Sequence, residues 1–233
     1  MNKVAKIIIE LALLAMIAGL VYLLYSNIMQ PVNFNKEKAS RQAVAVQRLK
    51  DIRTLQVAYK SVTGKFNSSA DSLKQFYENG KMEIVMQIGS MDDSLAVINT
   101  EAIKKANKKL KPEQLTAKLE EAYRNGMKVV YSKGTEIPVR DTLFNNRPDF
   151  NIDSLKYIPF SGKEPIQMEA VTKMVSGVPV PLFEARIPWK SLLKGMNNQL
   201  RINLDAESRD LNRYEGLQVG SITAPNNNAG NWE

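Results

Sequence analysis

The chain has 233 residues, of which 44% are apolar and 24% charged, and its formal net charge is +8. That length fits an N-terminal special segment with one globular domain or two small ones. The chain contains no cysteine and no histidine, which excludes disulfides, thiol nucleophiles and zinc sites built from these residues. The basic balance is compatible with nucleic acid, anionic lipid or an acidic partner and selects none of them.

An apolar run near the start of the chain is long enough to cross a membrane. Residues 7–25 cover 19 positions, and a helix of that length measures roughly 28 Å, close to the hydrocarbon thickness of a bilayer. A cleaved signal peptide has a shorter apolar region and small residues before the cut, whereas YSNIMQP follows this run. We therefore expect residues 1–30 to form an uncleaved, single-pass transmembrane helix.

The side of the membrane on which the rest of the chain lies is a separate question. Lys3 and Lys6 precede the run, and more basic residues follow it, namely Lys36, Lys38, Arg41 and Arg48. The positive-inside rule favours a cytoplasmic domain, but long domains cross largely regardless of such charges. We expect the domain that follows the anchor to lie outside the cytoplasm.

The predicted anchor carries two possible helix contact features on opposite faces. Glu10 is either a carboxylate that pairs with a neighbouring subunit in low dielectric or one that reaches the lipid interface beside Lys6. Ala12, Ala15 and Gly19 line the other side, and small residues at such spacing are typical of helix packing in membranes. One partner helix can hardly use both faces.

Residues 31–66 are predicted to form a linker and an amphipathic helix. Pro31 cannot continue a helix without cost, so we expect the anchor helix to stop or kink there, with VNFN extended. Residues 36–62 show the clearest helical period, and Thr63-Gly64 provides a C-terminal stop. The apolar positions of this period are Val46, Leu49, Ile52, Leu55, Tyr59 and Val62.

Residues 67–126 are predicted to be largely helical and rich in lysine. A helix capped by Ser68 or Ser69 ends at Gly80, and a strand follows at residues 82–89. Residues 92–126 look helical, with a break before Pro112 and a stop at Gly126.

Four lysines in this segment are predicted to lie on one helix face, namely Lys104, Lys105, Lys108 and Lys109. They form either a patch for phosphate or anionic lipid or an ordinary solvated face. No aromatic residues alternate with them, so the platform on which single-stranded nucleic acid stacks is missing. We expect no nucleic-acid partner.

Residues 127–225 are predicted to form a β-rich domain. Candidate strands cover residues 127–132, 136–140, 156–160, 166–174, 178–187, 200–204 and 217–224. Prolines make the 178–188 strand an edge strand or an irregular one, and short helices are expected at residues 189–194 and 206–214. Residues 226–233 form a polar tail that either frays or docks through Trp232.

The sequence offers no recognised catalytic constellation. It has no Gly-rich phosphate loop, no GxSxG elbow, no HExxH and no EF-hand ligand pattern. Adjacent acids at 92–93 and 120–121 lie in polar surroundings, which do not push two pKa values apart as catalytic pairs require. We expect a non-enzymatic protein without cofactor or metal.

The first 66 residues resemble the N-terminal half of type IV pilins and type II secretion pseudopilins. A short basic leader precedes an apolar helix with an early carboxylate, and the next helix ends in AYKSVTGKF. In that family a leader is removed and a Glu at the fifth mature position helps to register subunits, which the resemblance places at Glu10 if Ala5 ends the leader. Ala5 and Lys6 stand where the family has Gly and an apolar residue, and pilins continue one helix where Pro31 predicts a break.

The whole chain, down to NNNAGNWE, also resembles a group of uncharacterised single-pass envelope proteins of bacteria. Together these features predict an α+β protein: a transmembrane helix, an amphipathic helix and a mixed α+β domain with a mainly antiparallel sheet. The expected role is structural, in a secretion, motility or pilus-like machine, with lipid, envelope proteins or copies of the chain as partners. The alternatives are a processed pilin-like filament subunit and an anchored periplasmic module, whose β region binds a peptide, glycan or lipid.

Overall fold

A computed structural model describes residues 3–233, with side chains from Lys6 onward. These residues form seven α-helices, a 3-10 helix and five strands. The helices are α1 (Lys3–Thr63), α2 (Ala70–Asn79), α3 (Ser94–Ala106), α4 (Pro112–Arg124), α5 (Val139–Thr142), α6 (Trp189–Leu192) and α7 (Asn198–Asp210), and the 3-10 helix covers Ile152–Lys156. The strands are β1 (Lys81–Ile88), β2 (Tyr131–Pro138), β3 (Gln167–Val175), β4 (Val178–Pro188) and β5 (Gly216–Gly220).

The α+β class and the antiparallel pairing are confirmed. Strands β1 and β2 form a two-stranded antiparallel sheet, and β3, β4 and β5 form a three-stranded antiparallel sheet in that order. The chain divides into two compact units: unit 1 comprises residues 1–74 with 151–233, and unit 2 comprises residues 75–150.

Unit 1 is built on the contact between α1 and the three-stranded sheet. Phe183, Ala185 and Ile187 share one face of β4 and are fully buried, and Leu182 and Glu184 on the other face are buried as well. Helix α1 contacts β4 and β5, and its Leu49, Ile52 and Leu55 are 0–1% exposed. Burying each such side chain contributes about 1.5–3 kcal/mol, so the helix is an integral part of the core.

Unit 2 contains the antiparallel β1–β2 pair and the helices α3 and α4, which connect the two strands along the chain. Its buried core contains Leu119, Val129 and Tyr131. Thr100 of α3 is also buried, and its hydroxyl accepts a hydrogen bond from the Val130 backbone N–H at 2.7 Å. That bond holds α3 to the chain that leads into β2.

The predicted break at Pro31 is wrong, because α1 runs as one helix from Lys3 to Thr63 with Pro31 inside it. A proline inside a helix costs about 3 kcal/mol, since it removes one hydrogen bond and its ring crowds the preceding turn. The helix continues for several turns on both sides of Pro31. Phe34, three residues later, is only 7% exposed, so burial in unit 1 stabilises the helix there. The helix stop at Thr63 is confirmed, and Gly64 takes a φ of +76°, as a helix C-cap glycine does.

The strand predicted at residues 200–204 is also wrong, because these residues lie in α7. Asn197 caps this helix, its side-chain oxygen accepting from the Leu200 N–H at 3.0 Å. Arg201 pairs with Asp205 one turn later. A cap and an i,i+4 ion pair favour the helix over the alternating pattern of LRINL.

The prediction of an edge or irregular strand at residues 178–188 is right for only part of β4, which lies between β3 and β5. Its pairing with β5 covers only Glu184–Pro188, so Pro179 and Pro181 lie where β3 is the sole neighbour. A proline without an N–H is tolerated at such an edge position. The pairing with β3 keeps one register throughout, so β4 is an edge over residues 178–183 and is not irregular.

Three further strand predictions differ from the structure. Residues 156–160 form only an isolated bridge, Tyr157 with Pro165, because the chain turns at Phe160 with a φ of +62°. Residues 139–140 belong to α5, and the strand expected from residue 127 begins at Tyr131. The strands at 82–89, 166–174 and 178–187, the start of the 217–224 strand and the helices on either side of Pro112 are confirmed.

Candidate membrane anchor and its attachment to unit 1

Residues 6–30 of α1, here called the anchor segment, carry apolar side chains that unit 1 does not cover. Every residue from Lys6 to Tyr25 is exposed, and Leu14 and Tyr22 are 67% and 70% exposed. Within residues 3–233, α1 is the one helix long and apolar enough to cross a membrane. An apolar surface of this size in water is unfavourable, so the anchor segment requires an apolar environment.

The two contact features predicted on the anchor segment are both exposed on the helix surface. The Lys6 ammonium is 4.0 Å from the Glu10 carboxylate, one helical turn away, and both side chains are more than 60% exposed. Ala12, Ala15 and Gly19 are exposed as well, and a Cβ at Gly19 would meet nothing within 4 Å. The pairing with Lys6 partly neutralises Glu10, and the small-residue side remains open to a second helix.

The second half of α1 is fixed to unit 1 by three arginines that donate to backbone carbonyls. Arg41 donates to the carbonyl of Lys194 at 2.9 Å and to that of Leu192 at 3.2 Å. Arg48 donates to the Tyr157 carbonyl at 2.5 Å. Charge-assisted hydrogen bonds of this kind are about twice as strong as neutral ones.

Arg53 is the third of these arginines and holds the C-terminal tail. Its guanidinium donates to the Asn228 carbonyl at 3.3 Å and pairs with the Glu233 carboxylate at 2.7 Å. Because of that bond the pKa of the Glu233 carboxyl is lowered from its ordinary value. Burial lowers the pKa of Arg48, which is the cost of placing a guanidinium at the edge of the core.

The end of α1 is tied to the turn that follows it through Gln56. This side chain is fully buried, donates to the Asn67 carbonyl at 2.5 Å and accepts from the Asn67 N–H at 3.0 Å. Phe66 in the same turn packs on Phe183 of β4, with ring centroids 4.7 Å apart. The stretch AYKSVTGKF is therefore the point at which the helix, the turn and the sheet meet.

The part of unit 1 nearest the anchor segment in sequence carries cations beside aromatic rings. The Lys38 ammonium lies 5.9 Å from the centroid of the Trp189 ring, and the Arg41 guanidinium lies 5.0 Å from that of Phe160. Phe160 is 51% exposed. Rings and cations together are characteristic of surfaces near a membrane–water interface.

The four predicted patch lysines are exposed but do not share one helix face. Lys104 and Lys105 lie in the last turn of α3, and Lys105 is 4.0 Å from Glu101. Lys108 and Lys109 lie in the turn beyond the end of α3 at Ala106, so the single-face prediction is wrong. The helix stops because Asn107 caps it, its side-chain amide donating to the Ile103 carbonyl at 2.8 Å.

The polar tail is paired with β5. Val219 and Gly230 form an antiparallel bridge, and the Asn231 N–H donates to the Gln218 carbonyl at 3.0 Å. The Trp232 side chain is half-buried, and a Cβ at Gly230 would come within 2.4 Å of its ring. Only glycine fits at position 230 while the ring keeps this place.

The attaching residues are not distinguished by the sequence alone. Arg48 stands there only among the basic residues that follow the apolar run, and no motif marks Arg53 or Gln56. The available signal was an excess of cations: residues 36–65 contain eight Lys and Arg residues against two acids. Such an excess on a helix that packs in a core indicates that some of the cations bind carbonyls.

The leader junction lies at the edge of the described part of the chain. Residues 1–2 and the side chain of Ala5 lie outside it, so processing after Ala5 stays a prediction. The chain matches no protein-family model, no curated protein and no solved structure.

Proposed function

We propose that this protein is a non-enzymatic, single-pass component of a bacterial envelope assembly. The anchor segment crosses the inner membrane, and α1 continues without a joint into unit 1 on the periplasmic side. In this role the protein supplies a rigid attachment and a docking surface for other envelope proteins or for copies of itself.

One observation carries the proposal. The first half of α1 exposes its apolar side chains, whereas the second half of the same helix is packed in the core of unit 1. A signal sequence needs no such continuity, because it is removed. The three arginine contacts and the buried leucines make the second half inseparable from unit 1. A force applied to the anchor segment is therefore transmitted directly to the three-stranded sheet of unit 1, as expected of a structural component.

Site-specific labelling in whole cells tests the membrane side. Ser68 is exposed, and the chain has no cysteine, so Ser68→Cys provides a single thiol. We expect a maleimide that cannot cross the inner membrane to label it in cells whose outer membrane has been made permeable. Labelling that appears only after the inner membrane is broken would place unit 1 in the cytoplasm.

Extraction and mass measurement test the anchor itself. We expect the protein to stay in membranes washed with alkaline carbonate and Leu14→Lys/Ile17→Lys to lose this retention. Val44→Lys/Val57→Lys, at exposed positions of the second half of α1, is the matched control. A purified chain that begins after the apolar run would identify a signal sequence and end the proposal.

A pilin-like filament subunit is the second candidate, and the continuity of α1 through Pro31 favours it. The resemblance implies one helix that continues across position 31, and the unbroken course of α1 from Lys3 to Thr63 supports this candidate. Intact mass separates the two candidates: a chain that begins at Lys6 indicates leader removal, whereas one that begins at Met1 excludes it. Glu10→Gln should then block assembly in the filament case and leave abundance unchanged where Glu10 only meets the lipid interface.

A further inference from the structure

A basic pocket opens beside α7 in unit 1. It is formed by the end of β4, by α6 and α7, and by the chain that leads from α7 to β5, and its volume is about 690 Å³. Pockets that hold small molecules in proteins fall in this size range. Four cations line it against two carboxylates, namely Lys190, Arg201, Arg209 and Arg213 against Asp205 and Glu215.

Two of these cations are already neutralised. Arg201 pairs with Asp205 within α7, and Arg209 pairs with Glu215 at 2.9 Å. Asp205 is 6% exposed, and burial raises the pKa of its carboxyl, an effect that the adjacent Arg201 guanidinium opposes. These pairs shape the pocket wall and add little net charge.

The remaining cations, Lys190 and Arg213, have no such partner. Within residues 3–233 neither side chain makes a hydrogen bond, and neither lies within 4.0 Å of a carboxylate. Both are exposed at the pocket. Asn212 takes a φ of +52° just beyond α7, and this turn brings Arg213 to the same pocket as the helix arginines.

Tyr214 supplies a neutral donor in the pocket wall. Burial raises the pKa of its hydroxyl, so the proton is retained at neutral pH. The guanidinium of Arg186 lies 5.7 Å from the ring centroid and holds the ring by a cation–π contact. Arg186 in turn pairs with the buried carboxylate of Glu184.

We propose that this pocket binds a phosphate monoester, with Lys190 and Arg213 as its charge partners and the Tyr214 hydroxyl as an additional donor. A phosphate monoester carries about −1.5 to −2 charges at neutral pH and three acceptor oxygens, which match a hydroxyl and two cations that form no ion pair, although the charge of Lys190 also contributes to lowering the pKa of Glu164. The planar fork of an arginine fits two phosphate oxygens at once. A carboxylate has one charge and would leave one of the two cations without a partner.

The ester can come from a soluble compound or from a lipid headgroup, and the pocket chemistry is the same for both. Lys190 directly follows Trp189, whose ring lies 5.9 Å from Lys38 on α1. Lys38 is eight residues beyond the anchor segment. Because the pocket is linked in this way to the region near the anchor segment, a lipid phosphate is tested beside a soluble one. Binding of a phosphate monoester does not itself depend on the proposed anchoring role.

The soluble source is tested by calorimetry. The full chain in non-ionic detergent is titrated with inorganic phosphate and with glycerol phosphate. The lipid source is tested in nanodiscs of phosphatidylcholine with and without phosphatidic acid, read from the ¹⁵N signal of the Arg213 side chain. We expect saturable binding in at least one arm. Binding in the first arm without binding to phosphatidic acid identifies a soluble ester, and phosphatidic acid that binds more tightly than glycerol phosphate, or alone, identifies a lipid headgroup.

Variants decide whether the signal belongs to this pocket. Arg213→Gln and Lys190→Gln should each weaken binding about tenfold, and Arg213→Lys should recover part of the loss. Lys173→Gln, which removes an exposed charge from β3, should have no effect, and thermal unfolding midpoints of all variants verify the fold. Absence of binding in both arms, or binding that survives the double variant Lys190→Gln/Arg213→Gln, would overturn the proposal.

Discussion

The side chain of Gln56 holds the backbone of Asn67 by two hydrogen bonds, one donated and one accepted. Gln56 is fully buried, so water cannot replace it on either side. We expect Gln56→Leu to lower the free energy of unfolding of unit 1 by about 2 kcal/mol, because it leaves an N–H and a carbonyl without partners. Urea denaturation followed by circular dichroism measures this. Val57→Ala, at an exposed neighbouring position, should stay within about 0.5 kcal/mol of the parent.

The continuity of α1 across Pro31 predicts a defined distance along the helix. Spin labels on Asn27→Cys and Lys50→Cys, both exposed, are separated by 23 residues. At about 1.5 Å per residue their α-carbons are about 35 Å apart in one helix. Pulsed electron resonance should give a single narrow distribution near this value. A much longer or broad distribution would mean that VNFN is extended.

Attachment of the tail should depend on pH through Glu233. The Arg53 guanidinium lowers the pKa of this carboxyl, so its stabilising contribution is complete above the ordinary value of about 4.3 and is lost as the pH falls through the lower folded value. In a Trp189→Phe background, the fluorescence of Trp232 reports docking. We expect a transition below about pH 4.3 that Glu233→Gln abolishes. An identical transition in Glu233→Gln would assign it to another group.

Unit 2 should respond separately to loss of the Thr100 hydroxyl. Thr100→Val keeps the shape of the side chain but leaves the Val130 N–H unpaired in a buried site, at a cost of about 1–3 kcal/mol. Thr100→Ser keeps the hydroxyl and serves as the control. Hydrogen exchange should accelerate at Val130 and Tyr131 and remain unchanged at Leu217 and Val219 in unit 1. Equal acceleration in both units would mean that they unfold together.

Local sequence signals predicted the elements whose causes are local. The stop at Gly64, the break before Pro112 and the strands on either side of Ser176-Gly177 all follow from turn and cap chemistry within a few residues. The predictions of a break at Pro31 and of a strand at LRINL are wrong because the conformation at both places depends on residues outside the local pattern. Phe34 is held by the core of unit 1, and Asn197 caps α7 from outside the apparent strand.

The candidate sites were harder to predict than the fold. Arg48 contacts Tyr157 and Arg53 contacts Glu233, more than 100 residues away in each case, and no spacing within α1 encodes these partners. The basic pocket was hidden by the strand prediction, because Arg201, Asp205 and Arg209 lie one helical turn from each other only when residues 198–210 are helical, whereas residues four apart in a strand are too far apart to touch.

The short overlap of β4 and β5 has a consequence for solubility. On the N-terminal side of Glu184, the edge of β4 has no neighbouring strand among residues 3–233 on the β5 side, and an open strand edge of this kind invites another chain to pair with it. Pro179 and Pro181 lie in that stretch and have no N–H to offer an incoming backbone. The two prolines therefore disfavour the pairing of this strand edge with a strand of another chain.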